Sequence, residues 1–183
     1  PDPQASSTGT TVDVEAKRVI PPHGTPPVIS PYDECALEAA LRIKDAHGGH
    51  ITVISAGKNL SRPVFRKALA SGADELVLLE DGAFERLDSY ATASVLASAI
   101  RQIGSFDLIL CGRQAADTDA GQVGTGLAQL LNIPCVTVAC KIELCQGNVS
   151  VTRVVSDGYE VIEAPLPVLV TVSSEIGELR YPK

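Results

Sequence analysis

Methionine and tryptophan are absent from this 183-residue sequence, aromatic residues make up only 4%, and histidine occurs three times. A chain without methionine is not expected to open at its own translation start. It opens in Pro1-Asp2-Pro3-Gln4, a loop composition, whereas a doubly wound domain normally opens on a buried strand. A first strand is therefore expected to be missing from the front. His23, His47 and His50 do not stand at metal-ligand spacing, and His23 reads as a solvated loop residue. The cysteines, Cys35, Cys111, Cys135, Cys140 and Cys145, are odd in number and include no C-x-x-C pair. They read as reduced, mostly buried thiols of a cytosolic protein and not as a metal site. No apolar run approaches the length of a membrane span, and no stretch has the pattern of a signal or transit peptide. Basic residues are outnumbered: 15 Lys and Arg against 22 Asp and Glu give a net charge of −7 and a pI near 4.9. That balance argues against nucleic acid and anionic membrane surfaces as partners.

Several catalytic signatures are missing too. There is no G-x-x-x-x-G-K-[ST] phosphate loop, no G-x-G-x-x-G after the first visible strand, and no G-x-S-x-G elbow. Asp117 and Asp119, with Asp107 further back, would need phosphate partners to hold magnesium. No general base or nucleophile is marked by its neighbours.

What is present reads as one domain, residues 1–183, with 45% apolar residues and enough length to bury a core. Thr11-Val12-Asp13-Val14 alternates like an edge strand, and Arg18-Val19-Ile20 can pair with it. Ser30-Pro31-Tyr32-Asp33 predicts a helix start, with Ser30 and Asp33 in a capping-box pattern and Pro31 at the first helical position. Leu37, Ala40 and Leu41 form its core stripe, and Glu34, Glu38, Arg42 and Lys44 are expected mostly on the wet side. Strand runs at 51–55 and 76–79 alternate with helices through Val64, Phe65, Ala68 and Leu69 and through Val95, Leu96, Ala99, Ile100 and Ile103. This βαβαβα order predicts an α/β, doubly wound, mostly parallel sheet with right-handed crossovers. After Leu131 the grammar changes. Alternating runs separated by Gln146-Gly147-Asn148 and Ser156-Asp157-Gly158 predict an antiparallel β meander over 139–165, and Val168 to Val172 reads as a final buried strand.

The most informative stretch is Asp107 to Leu131. A buried strand at 107–111 ends at Gly112, and a polar loop, Arg113 to Gly121, carries two carboxylates, an amide and a guanidinium. From Gln122 a helix follows, with Val123, Leu127, Leu130 and Leu131 on one side and the small Gly124, Gly126 and Ala128 allowing close approach. A loop at the carboxyl end of a strand, feeding a helix N-terminus, is where open α/β sheets place ligands. Amides of Gln122, Val123 and Gly124 suit a phosphate, with Thr125 adding a hydroxyl. Two ionised aspartates would repel that phosphate. One is expected to cap the helix, the other to bind a ribose or orient Arg113.

The segment Cys111 to Gly124, Cys-Gly-Arg-Gln-Ala-Ala-Asp-Thr-Asp-Ala-Gly-Gln-Val-Gly, resembles the nucleotide loop of the electron-transfer flavoprotein beta subunit family. The likeness extends to Ser30-Pro31-Tyr32-Asp33-Glu34 and the helix after it, to Ile54-Ser55-Ala56-Gly57, Ala68 to Asp74, Asp157-Gly158-Tyr159-Glu160 and Glu178-Leu179-Arg180-Tyr181-Pro182. It implies an adenine-nucleotide alpha-hydrolase-like fold and an electron carrier, not an enzyme. It implies pairing with an alpha subunit that carries FAD, and electron passage between dehydrogenases and quinone or ferredoxin-linked partners. It also implies a cytoplasmic location in bacteria or archaea, or the mitochondrial matrix in a eukaryote. The contacts it carries over are Ser30, Pro31, Tyr32 and Asp33 near the base and ribose, Ala56 after the second visible strand, and residues 112–123 around the phosphate, including Gly112, Arg113, Gln114, Asp117, Asp119, Gln122 and Val123. In many members the nucleotide is AMP; in electron-bifurcating members it is a second FAD. Gln122-Val123-Gly124, Pro1-Asp2 and Ser89-Tyr90-Ala91-Thr92 are similar to the bifurcating branch, while Thr118, Ala120, Gly121 and Thr125 depart from it. FAD is the expectation, with AMP the alternative in the same site. Residues 173–183 would begin the partner-binding tail. The residues alone leave open a stand-alone adenine-nucleotide-binding module of the stress-protein kind.

Overall fold

The computed structural model describes residues 2–3, 11–15, 18–20, 26–116 and 118–182. Two small ladders come first. β1 (Asp2–Pro3) pairs antiparallel with β4 (Pro27–Val28), and β2 (Thr11–Asp13) with β3 (Arg18–Ile20), as the alternation suggested. The α/β alternation then follows: α1 (Pro31–His47), β5 (Thr52–Gly57), α2 (Arg62–Ser71), β6 (Glu75–Glu80), α3 (Ser89–Ile103), β7 (Leu108–Gly112) and α4 (Val123–Leu131). Local chemistry sets these bounds. Pro31 opens α1, where its missing N–H costs nothing, and the Asp88 carboxylate caps α3 by accepting from the Ala91 amide at 2.7 Å. Gly48, Gly72 and Gly104 end α1, α2 and α3.

Beyond α4 the chain forms β8 (Cys135–Cys145), β9 (Asn148–Val155), β10 (Gly158–Pro165) and β11 (Val168–Val172). They give a mixed sheet of order β10-β9-β8-β11-β7, in which β11 runs parallel to both β7 and β8 while β8, β9 and β10 form the expected meander. All five residues of β11 are buried, as its unbroken apolar run implied. β5 and β6 form a separate parallel pair. The doubly wound α/β architecture is therefore present, but its parallel strands are divided into two pieces.

β8 serves both halves of its sheet. Its first part pairs with β11 and its second with β9, with register irregularities on both sides of the change. Val138 sits there with φ +62°, a region that a β-branched residue rarely enters. Its N–H donates to the hydroxyl of buried Thr171 at 3.0 Å. Thr171→Val is isosteric but removes the acceptor. It should cost about 1 kcal/mol in urea unfolding, the low end of the range for stranding a donor, since Val138 is half-buried.

Four expectations need correction. Glu38 is not on the wet face: it is 4% exposed and bound by two arginines. The α1 core stripe is Cys35, Ala36, Leu37, Ala39 and Leu41, with Ala40 only half-buried. Ile103, the last residue of α3, is 46% exposed, and the small Ala93 and Ala97 carry the close packing instead. The cysteines are free thiols, but only Cys35 is fully buried and Cys135 and Cys145 are exposed.

Candidate functional site

The site is built where α1 begins, against the carboxyl end of β7. A Cβ added to Gly112 would lie 2.6 Å from Tyr32 Cβ and 2.9 Å from the Asp33 amide nitrogen, so only glycine admits the helix this closely. Asp33 then locks the contact, accepting a hydrogen bond from the Gly112 N–H at 2.8 Å. The capping-box expectation is thereby corrected: the Asp33 carboxylate accepts across the sheet edge, and the Ser30 side chain makes no cap hydrogen bond. Ser30 is 5% exposed and its Oγ has no hydrogen-bond partner. A buried hydroxyl left this way is rare and points to a missing partner.

The loop after Gly112 is tied down at its entry by the Arg113 N–H donating to the Val172 carbonyl at 3.0 Å. The Arg113 guanidinium lies 5.4 Å from the centroid of the Tyr32 ring, a cation–π contact, and its Nε donates to Gln114 Oε1 at 3.1 Å. Gln114 Nε2 in turn donates to Asp119 Oδ1 at 2.6 Å and reaches the Tyr32 hydroxyl at 3.4 Å. Arg113, Gln114, Tyr32 and Asp119 are thus one chain of contacts linking the loop to α1. Asp119 has φ +51° and Gly121 φ +61°, and these left-handed residues turn the loop toward α4.

α4 opens at Val123 with Gln122 at its cap position and no side-chain cap hydrogen bond. Asp119 therefore does not cap this helix; its carboxylate is engaged with Gln114. Asp117 lies outside the described residues. The Thr125 hydroxyl donates back to the Gln122 carbonyl at 3.1 Å. Gly124 is buried, and a Cβ there would meet Cys111 Sγ at 2.8 Å and Thr171 Cγ2 at 2.9 Å. The first turn of α4 consequently lies flat on β7 and β11. Burial first, and then the charge of Asp33, pushes the Cys111 thiol well above its ordinary range, which makes it an inert packing group and not a nucleophile.

Ala56 stands in the strand itself, not in the loop after it: β5 continues to Gly57. Both residues are half-buried at the carboxyl end of β5. The structure thus joins Tyr32, Asp33, Gly112, Arg113, Gln114 and Asp119 in one set of contacts, with Ser30 and Pro31 at the start of the same helix; Ala56 stands apart at the end of β5, and Gly124, in the first turn of α4, packs on Cys111 and Thr171. Clefts of about 510 and 440 Å³ lie elsewhere, between β6 and α3 and between α1 and β8. The loop side chains from Ala115 to Gln122 that are described are exposed, so the cradle is an open surface at the edge of the fold. Among the described residues no group of three His, Cys, Asp or Glu side chains is placed to hold a metal ion. The arrangement offers backbone donors, an arginine and a buried hydroxyl, which is a means of binding. Sequence reasoning missed Thr171, which supports both Gly124 and the Val138 bulge; a glycine in the first turn of a helix after a buried strand is the signal of such close packing.

The sequence matches the electron transfer flavoprotein domain family over residues 18–181. Among its relatives, the electron transfer flavoprotein subunit beta of Thermoanaerobacterium thermosaccharolyticum is 46% identical over 159 residues, covering 87% of this chain and 61% of that protein. Subunit CarD of the caffeyl-CoA reductase-Etf complex of Acetobacterium woodii is 43% identical over 159 residues, covering 86% and 61%. Protein FixA of Azorhizobium caulinodans is 40% identical over 164 residues, covering 86% and 58%. The chain spans about three fifths of the length of these curated relatives. With a family match across most of its residues and relatives of this identity, the chain belongs to the electron transfer flavoprotein family, on its beta-subunit side.

Proposed function

We propose that this chain holds an adenine nucleotide as part of the beta subunit of a heterodimeric electron carrier. The nucleotide is FAD, with AMP the alternative in the same site. Ser30, Pro31, Tyr32 and Asp33 lie toward base and ribose, Ala56 flanks them, and Gly112, Arg113, Gln114, Asp117, Asp119, Gln122, Val123, Gly124 and Thr125 surround the phosphate. The partner is an alpha subunit, and the pair passes electrons between dehydrogenases and a quinone or ferredoxin-linked acceptor in the cytoplasm. FAD supplies one- and two-electron chemistry when bound; this chain's residues hold and orient its adenylate end.

The observation that carries the reading is the buried, unpartnered Ser30 hydroxyl at the start of α1, the helix whose Tyr32 ring carries the loop arginine. Such a hydroxyl costs stability until something accepts or donates to it. Ser30→Ala should therefore leave unfolding free energy unchanged or slightly raised without nucleotide. It should weaken adenylate binding by about tenfold, the worth of one hydrogen bond of roughly 1–1.5 kcal/mol. Urea unfolding reads the first, and titration calorimetry with AMP and FAD on the heterodimer reads the second. A flavin-to-protein ratio of two per heterodimer assigns FAD to this subunit; one flavin plus AMP assigns AMP. No bound or bindable adenylate, or unchanged affinity in the variant, overturns the site.

A further inference from the structure

The loop after β7 carries a guanidinium and a carboxylate, Arg113 and Asp119, on one short turn. Opposite charges so placed ordinarily pair directly. Here the side chain of Gln114 stands between them. Its Oε1 accepts from Arg113 Nε at 3.1 Å and its Nε2 donates to Asp119 Oδ1 at 2.6 Å, and among the described residues no ion pair joins Arg113 to Asp119. The charges orient this amide, with its carbonyl end on the cation and its amino end on the anion. A glutamate there would accept from the arginine but repel Asp119, and a lysine would do the reverse. The backbone fixes the arrangement. The Asp119 N–H donates to the Ala115 carbonyl at 3.1 Å, and with φ +51° the residue turns its carboxylate back onto Gln114. On the other side, the Arg113 N–H is held by the Val172 carbonyl at 3.0 Å and the guanidinium lies 5.4 Å from the Tyr32 ring centroid. Nε and one face of Arg113 are thus engaged, while its two Nη groups have no partner among the described residues. That edge of a guanidinium matches a phosphate in shape and charge.

We propose that Gln114 is a positioning residue: its amide keeps Asp119 off Arg113, so that the Nη edge of the guanidinium stays open to the anionic group of a nucleotide. The role rests on the adenylate reading of this site and divides the work within it. Arg113 meets the phosphate, and Gln114 keeps the arginine available. Asp119 acquires a definite place as well, since a carboxylate that would otherwise neutralise Arg113 is satisfied by a neutral donor. Without the amide, the Asp119 side chain can close on Arg113, and a phosphate must displace it before binding. Asp119 is exposed, and exposed ion pairs are weak. The cost is therefore a few-fold in affinity and not loss of the site.

Titration calorimetry on the nucleotide-free heterodimer, with AMP and adenosine as probes, tests this. Gln114→Met keeps the length of the side chain and removes the amide. It should weaken AMP binding by about fivefold, the scale of one exposed ion pair, and leave adenosine, which has no phosphate, unchanged. Asp119→Asn added to Gln114→Met should restore AMP affinity, gaining about fivefold more than the same substitution gains in the parent. That excess is the mark of competition for Arg113, and a merely structural loss would not show it. Unchanged AMP affinity in Gln114→Met overturns the proposal. So does equal weakening of AMP and adenosine, which assigns the loss to the shape of the loop, and so does an Asp119→Asn gain of the same size in both backgrounds. In each of these cases the nucleotide site stands. A parent heterodimer that binds neither probe overturns the nucleotide site and the positioning role with it.

Discussion

Gly112→Ala is expected to destabilise the fold by about 1–3 kcal/mol and to weaken adenylate binding by tenfold or more. The added methyl would lie 2.6 Å from Tyr32 Cβ, 2.8 Å from the Tyr32 carbonyl carbon and 2.9 Å from the Asp33 nitrogen. Two of these are backbone atoms, so no rotamer change relieves them. The first turn of α1 must move away from β7, and the hydrogen bond from the Gly112 N–H to Asp33 moves with it. Alanine narrows the unfolded ensemble by about 0.4–1 kcal/mol, which offsets only part of this. Gly126→Ala is the internal control. A Cβ there meets Ala93 Cβ at 3.5 Å, an ordinary contact, and the position is inside α4. Higher helix propensity should stabilise that variant by about 0.5–1 kcal/mol. Urea unfolding with unchanged slopes separates the two. A Gly112→Ala protein as stable as the parent would show that the helix start is not seated on the strand end.

The contrast between these glycines marks how far the sequence could be read. The order of elements was legible because periodicity is local: the apolar run at β11 and the glycine stops of α1 and α3 need no distant partner. The polar loop before α4 was legible as surface from its composition alone. What stayed hidden was decided by residues far apart in sequence. Ser30 and Asp33 have the spacing of a capping box, yet Asp33 reaches Gly112, 79 residues on, because the close seat of α1 on β7 brings a bare N–H within range. Asp119 has the chemistry of a cap but is engaged by Gln114. The division between β5 and β7 could not be read either, since strand adjacency in a parallel sheet is set by crossovers and not by the pattern within each strand.

Glu38 is the strongest case of this kind, and Glu38→Ala is expected to cost about 2–4 kcal/mol. A glutamate four residues before an arginine reads as an exposed helix pair worth a few tenths of a kcal/mol. Here Arg42 Nε donates to Oε1 at 2.9 Å, while the Arg180 amide and Nε donate to Oε2 at 3.1 and 3.0 Å. Arg180 also donates to Oε1 from Nη2 at 3.1 Å. Arg42 continues to the Ile176 carbonyl at 2.7 Å and Arg180 to Asp45 at 2.7 Å, so one carboxylate fastens the segment after β11 to α1. Removing one partner of a buried pair costs 3–5 kcal/mol, and the lower range expected here allows for arginines that can partly rehydrate. Burial, the largest influence, pushes the Glu38 carboxyl up, but the hydrogen bonds from Arg180 and Arg42 outweigh it and hold the group below its ordinary value. A depressed folded value means that the contribution is complete above the unfolded carboxylate range, near 4.3, and is lost as pH falls through the folded value. Glu38→Gln keeps the shape and removes the charge. The stability gap between the parent and Glu38→Gln should be full at pH 7 and shrink below about pH 4. A gap that is constant from pH 7 to pH 3 would assign the cost to packing and not to the carboxylate.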